Sequence, residues 1–222
     1  MAVTPHSTLP ENAESVMGLL LRLREFGITD QEFLQRVESV PHDIFVPREF
    51  YAEAWKNTQL PIPCGQTQTS PDLLIRILSA LELTNGHTVL EIGTGSGYLT
   101  ALLARFSRKV RSIDRYGTLI DRASKKLAQL EINNVTLEKA DGLDGPHGQG
   151  LYDRIVVDSC FQETPRALAE QLVAGGVVIT AIGEVTGEQM LVKLTKIGSR
   201  FDREDLFPVR LTPLEPGISA AI

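Results

Sequence analysis

The chain has 222 residues, 42% apolar and 23% charged, a balance that suits one globular domain and excludes a disordered or fibrous protein. Its formal charge is −6 and it has no basic run, which argues against a partner recognised through nucleic-acid phosphates. No apolar stretch reaches the ~20 residues of a membrane helix, and the N-terminus lacks a basic patch followed by an apolar segment, so no membrane partner and a cytoplasmic setting are expected.

In chain order, residues 1–11 are polar and read as a loose tail. Ala13, Val16, Met17, Leu20 and Leu23 then approximate a helical stripe that Gly27 ends. Thr29 with Glu32 predicts a capping box for a second helix carrying Phe33, Leu34, Val37 and Val40. Pro41 and Pro47 bracket an irregular stretch, and residues 60–71 are too rich in proline and small polar residues for a regular element. Phe45, Tyr51 and Trp55, which precede that loop, read as packing residues, with a lid as the alternative. Ser70 and Pro71 fit the cap and first turn of a helix whose apolar face is Leu73, Leu74, Ile77, Leu78 and Leu81.

Beyond residue 85 strands and helices alternate. Strands are expected at Thr88–Ile92, Lys109–Ile113, Val135–Glu138, Arg154–Val157 and Val177–Ile182, with helices around 97–106, 117–130 and 164–173. Two closing antiparallel strands are expected around Met190–Thr195 and Leu206–Leu211. The expected fold is therefore α/β: a doubly wound, mostly parallel, Rossmann-like sheet of about seven strands with an N-terminal helical extension. Residues 1–70 are assigned to that extension and the substrate loop, and 71–222 to the cofactor-binding domain.

The sharpest local pattern is Val89-Leu-Glu-Ile-Gly-Thr-Gly-Ser-Gly-Tyr98. A buried strand runs into the turn Gly93, Thr94, Gly95, Ser96 and Gly97, whose glycines permit unusual backbone angles and close ligand approach. A purely structural tight turn is the bland alternative. Tyr98 stands where a dinucleotide fingerprint places its last glycine, which disfavours a nicotinamide dehydrogenase. Glu91 is a carboxylate at an apolar strand end, suited to a cationic amino-acid moiety rather than a pyrophosphate. Asp114 ends the second strand, where an acid can hold a ribose hydroxyl pair, and Asp141-Gly142 follows the third, where a carboxylate could accept an adenine amino proton. Together these residues describe a binding site for an adenosyl ligand bearing a sulfonium. Cys64 and Cys160 read as free thiols, Cys160 as a pocket-lining residue without chemistry. His6, His42, His87 and His147 show no metal-ligand spacing, so no metal is expected.

The glycine motif resembles the first motif of class I S-adenosylmethionine methyltransferases and, more narrowly, that of the protein-L-isoaspartate O-methyltransferases. The resemblance extends from about Gly27 to Leu214 through Val46-Pro-Arg-Glu49, Leu60-Pro-Ile62, Gly65-Gln-Thr67, Asp141-Gly142, Tyr152-Asp153, Gly175-Gly176, Gly183-Glu184 and Pro208-Val-Arg-Leu-Thr-Pro-Leu214. It implies S-adenosyl-L-methionine as cofactor and isoaspartyl-containing proteins or peptides as partners. It also implies a catalytic role for Thr69, which takes the place of a serine in the family's Gly-Gln-Thr-Ile-Ser-x-Pro loop. A second departure is Val157-Asp-Ser-Cys160, where the family has Val-Thr-Ala-Ala; Asp158 is expected to weaken use of an anionic acceptor. Alternative readings are a methyltransferase for another carboxylate or a small metabolite, and a non-catalytic adenosyl-binding homologue. For Thr69 and Ser70 the alternative to a role with the acceptor is simple helix capping.

Overall fold

The computed structural model describes residues 13–143 and 150–219. The expected tail over residues 1–11, and the positions His6 and His147, lie outside these. The chain opens with helices α1 (Ala13–Glu25) and α2 (Gln31–Glu38), then two short 3-10 segments. Asp30, not Thr29, caps α2: its carboxylate accepts the Phe33 N–H at 2.8 Å. Glu32, free of the expected capping box, pairs instead with Arg36 one turn on.

The proline-rich stretch expected to be irregular forms an antiparallel hairpin, β1 (Leu60–Ile62) with β2 (Gln66–Gln68). Cys64 and Gly65, both with positive φ, turn the chain between them. Pro61 is tolerated because the hairpin has only two strands and needs no donor on that edge. Ser70 then caps α3 (Pro71–Ala80), accepting from the Leu73 N–H.

The central sheet takes β3 (Thr88–Ile92), β4 (Lys109–Asp114), β5 (Val135–Lys139), β6 (Tyr152–Phe161), β7 (Leu172–Gly183), β8 (Gln189–Ile197) and β9 (Arg200–Val209) in the order β5-β4-β3-β6-β7-β8-β9. Pairings from β5 through β7 are parallel, and β8 and β9 close the sheet antiparallel. Helices α4 (Tyr98–Phe106) and α5 (Gly117–Gln129) connect β3 to β4 and β4 to β5. Successive strands step outward from β3 on one side and from β6 on the other. The crevice at the carboxyl ends of β3 and β6 is thus a topological switch point, the place where such sheets bind ligands.

Alternate residues of β3 feed two cores. Val89 joins a cluster with Leu19, Leu23, Leu34, Leu78 and Leu102 from α1–α4, and Leu90 and Ile92 join another with Ile155, Val178 and Leu172. Arg22 ties α1 to α3 by a two-pronged bond to Asp72 at 2.7 and 2.9 Å. The helix expected around 164–173 is only a 3-10 turn, Arg166–Gln171, because Pro165 starts it late and Leu172 already pairs with Tyr152 at the start of β7. Strand β6 runs past the expected Val157. Its register slips between Val156 and Cys160, so residues 157–159 bulge toward the crevice, and Cys160 continues by bonding the backbone of Thr212 and Leu214.

Candidate active site

The strand β3 ends in a turn that hydrogen bonds hold from several sides. Gly93 and Thr94 both donate to the Ile113 carbonyl, at 2.9 and 3.2 Å, which continues the β3–β4 ladder one step beyond the strands. The Thr94 hydroxyl meets that of Ser112 at 2.6 Å, and the Ser96 hydroxyl accepts from the Tyr98 N–H. Gly93, Gly95 and Gly97 have φ of +99°, +54° and +90°. At Gly97 a Cβ would lie 2.9 Å from that of Ala123, so glycine there lets α4 begin hard against α5.

Asp114, 8% exposed, is the hub of the next turn. Its Oδ2 accepts the Gly95 N–H and its Oδ1 the Tyr116 N–H, each at 2.9 Å. Burial raises its pKa, and those two backbone donors pull it back down. Gln66 of the hairpin reaches the Tyr116 hydroxyl at 3.2 Å, drawing β2 over the end of β4.

These elements enclose a cavity of about 270 Å³. Ile92, Gly93, Gly95, Ile113 and Asp114 form its floor, and Ile62 and Gly65–Thr67 of the hairpin form one wall. Asp158 and Ser159 of the β6 bulge, with Thr212–Glu215, form another wall. Gly142 lines it because a Cβ there would fall 2.5 Å from Ile92 Cγ2 and 3.3 Å from Leu214 Cδ1. Asp141 itself does not line the cavity: its oxygens accept the N–H groups of Leu143 and Gly217, at 2.9 and 2.6 Å, and so moor the C-terminal segment.

Glu91 lies beneath the floor and is fully buried. It accepts the Thr100 hydroxyl, its Oε1 has no hydrogen-bond partner among the described residues, and burial pushes its pKa up to about 8. Its burial beneath the turn favours the protonated form.

Thr69, 6% exposed, directs its hydroxyl at Asp158 Oδ1, 3.0 Å away. Burial raises the Asp158 carboxyl to about 6, with the Thr69 bond opposing the shift. Just before Thr69, the buried Gln68 amide donates to His42 Nε2, while His42 Nδ1 donates to the Ala54 carbonyl. Burial lowers His42 to about 4, so the ring is neutral and the tautomer is the one these two bonds require. Phe45 and Trp55 are buried packing residues, and Tyr51 is 47% exposed.

Of the expected site residues, Gly93, Gly95, Asp114 and Gly142 line one cavity, Thr94, Ser96 and Gly97 brace its turn, and Glu91 and Asp141 support it from behind. Among the described residues, no group of three or more His, Cys, Asp or Glu side chains is placed to hold a metal ion.

The family model for protein-L-isoaspartate(D-aspartate) O-methyltransferases matches residues 14–218. The chain belongs to this family. Among relatives, the protein-L-isoaspartate O-methyltransferase of Rhodopseudomonas palustris strain BisA53 is 41% identical over 203 residues, 91% of this chain and 94% of its own. Protein-L-isoaspartate O-methyltransferase 2 of R. palustris strain HaA2 is 43% identical over 199 residues, covering 90% and 92%. A Plasmodium falciparum protein, provisionally named as a member of the family and crystallised with S-adenosyl-L-homocysteine, superposes with a TM-score of 0.77 at 24% identity, over 89% of this chain and 97% of that one. At that identity the likeness speaks for the fold. Within this protein-L-isoaspartate O-methyltransferase family member, two of the residues that depart from the family's pattern, Thr69 and Asp158, are bonded to each other. Gln68 stands where the family's loop has isoleucine; its amide N–H bonds His42, and its buried Oε1 has no hydrogen-bond partner among the described residues.

Sequence reasoning did not bring in Ile62, the Arg115–Tyr116 turn or Thr212–Glu215 as cavity walls. The run Pro208–Leu214 carried a family signal, but nothing in it showed that the chain doubles back across β6.

Proposed function

We propose that this protein transfers a methyl group from S-adenosylmethionine to the carboxylate of isoaspartyl residues in damaged polypeptides. The observation that carries the reading is the shape of one cavity. Its cofactor side holds Asp114 and the glycine turn, and its other side holds the family's acceptor loop and the β6 bulge. The lining suits an adenosyl group: Asp114 offers a carboxylate for a ribose diol, while Ile92, Ile113, Leu119 and Leu214 offer apolar faces for a base. Gly142 keeps that wall clear of a Cβ.

When bound, the cofactor would supply an electrophilic methyl on a sulfonium, with a neutral thioether as the leaving group for attack by the acceptor oxygen. An acceptor carboxyl with an ordinary pKa of about 4 is already ionised, so no general base is needed. The protein's work is to position the reacting atoms and exclude water. The hairpin and the C-terminal segment wall the cavity, Asp158 lines its acceptor side, and Thr69 holds Asp158 through its hydroxyl. In this reading residues 1–70 bring the acceptor loop to a cofactor domain formed by 71–222. Cys64 and Cys160 are both free thiols, which suits a reducing cytoplasm.

The test is transfer of tritium from labelled cofactor to an isoaspartyl peptide. Base-labile label is expected, as a carboxyl ester requires. Base-stable label would mean another acceptor, and cofactor binding without transfer would mean a non-catalytic homologue; either result refutes the reading.

A further inference from the structure

Thr69 and Asp158 each differ from the family's pattern, lie 89 residues apart in sequence, and meet through one hydrogen bond, with Asp158 lining the cavity and Thr69 packed against it two residues beyond Thr67 of the same lining. Building on the proposed isoaspartyl reading, we propose that they work as a single hydroxyl–carboxyl couple that sets acceptor specificity. The couple admits an anionic acceptor when it is protonated and turns one away when it is ionised.

The argument is one of donors and charge. An ionised Asp158 takes the Thr69 hydroxyl proton as its own hydrogen-bond donor. An incoming carboxylate then meets a second negative charge and finds no hydroxyl free to receive it. A protonated Asp158 is itself a donor, and the Thr69 hydroxyl is released to turn toward the acceptor. Few groups nearby are placed to cancel the ionised form. From β3, buried Glu91 feels the Asp158 charge as repulsion. From the end of β4, Asp114 lines the same cavity with a carboxylate. Arg115, the cation in that lining, is paired with Glu215 of the C-terminal segment, and Asp72 at the start of α3 is bonded to Arg22. Among the described residues, no cation pairs with Asp158. The carboxyl sits near 6, so the switch falls within the range a cell visits. The Gln68–His42 bond holds the strand leading to Thr69, which fixes the Thr69 backbone in both states while its O–H is free to rotate.

The experiment measures binding of an isoaspartyl peptide, with alanine neighbours and blocked ends, to the protein loaded with S-adenosylhomocysteine. Affinity should fall by up to about fiftyfold between about pH 6 and about pH 8, following the protonated fraction of a group near 6. Asp158→Asn keeps a donor that cannot ionise, and should bind at the tighter level with no pH slope over that range. Wild-type affinity that changes less than about twofold over that range overturns the couple, as does an Asp158→Asn variant that keeps the wild-type slope. Methyl transfer is read separately. A peptide that binds with the expected slope yet gains no base-labile ester leaves the couple standing and sinks the isoaspartyl reading. A peptide that is esterified but binds without a slope sinks the couple alone, and a peptide that binds at neither pH sinks both.

Discussion

Glu91 should make the ligand-free protein lose stability as the pH rises. Its carboxyl is fully buried beneath the glycine turn and is pushed from an ordinary 4.5 to about 8. The unfolded chain, with Glu91 in water, gives up its proton near the ordinary value. Between the two values the folded state therefore binds more protons, and stability drops as the pH rises through that window. Integrated between about pH 5 and about pH 8, this one group costs about 3 kcal/mol. Glu91→Gln keeps the shape and an oxygen to accept from Thr100, and it removes the titration. Urea unfolding of both proteins at the two pH values isolates the effect, because Asp158 and His42, which also titrate abnormally, are present in both. The wild type should lose about 3 kcal/mol more than Glu91→Gln over that interval. If the two proteins lose stability in parallel, Glu91 is not a buried acid and the reasoning fails.

Asp114→Ala should weaken binding of S-adenosylhomocysteine by about 1.5–3 kcal/mol per lost charge-assisted bond, measured by calorimetry, and unchanged affinity would remove Asp114 from the ribose. Thr69→Val should lower turnover with cofactor affinity unaltered, and Thr69→Ser should keep turnover; a fully active Thr69→Val would show that the hydroxyl plays no part. Gly142→Ala drives a Cβ to 2.5 Å from Ile92 Cγ2, so it should cost about 1–3 kcal/mol in urea unfolding, as overpacking does; unchanged stability would show that the wall yields freely. Arg22→Met strands the buried Asp72 carboxylate and should cost about 3–5 kcal/mol in urea unfolding; a loss below about 1 kcal/mol would show that the pair is not what joins α1 to α3.

The sheet was legible because parallel strands covered on both faces are rich in aliphatic residues: Val177–Ile182 shows this directly, and Val89, Leu90, Ile92, Val110 and Ile113 show it around the polar Glu91, Arg111 and Ser112. The glycine turn was legible because its residues act locally, through backbone angles. Asp30 as the cap of α2 was hidden by a competing Thr29–Glu32 pattern one residue away. The β1–β2 hairpin was hidden because two three-residue strands carry too little alternation to outweigh their prolines and glycine. Asp158 was legible as a charge in an unexpected place, but its bond to Thr69 was not, because nothing in a linear sequence brings residues 69 and 158 together. The bond of Asp141 to Gly217 was hidden for a related reason: the two lie 76 residues apart.

The sheet is complete at Val209, but the cavity is not. Its last wall, Thr212–Glu215, is moored by Cys160 backbone bonds, by the Arg115–Glu215 pair and by the Gly217 N–H on Asp141. These residues follow every strand of the sheet in the chain, so during synthesis the last strand leaves the ribosome before the last wall of the cavity does. A chain cut after Val209 would retain every strand and pass a test of secondary structure, yet it would leave the cavity open along one side. A bulky fusion abutting Ser219, whose N–H bonds the Arg115 carbonyl, would tug on the same wall.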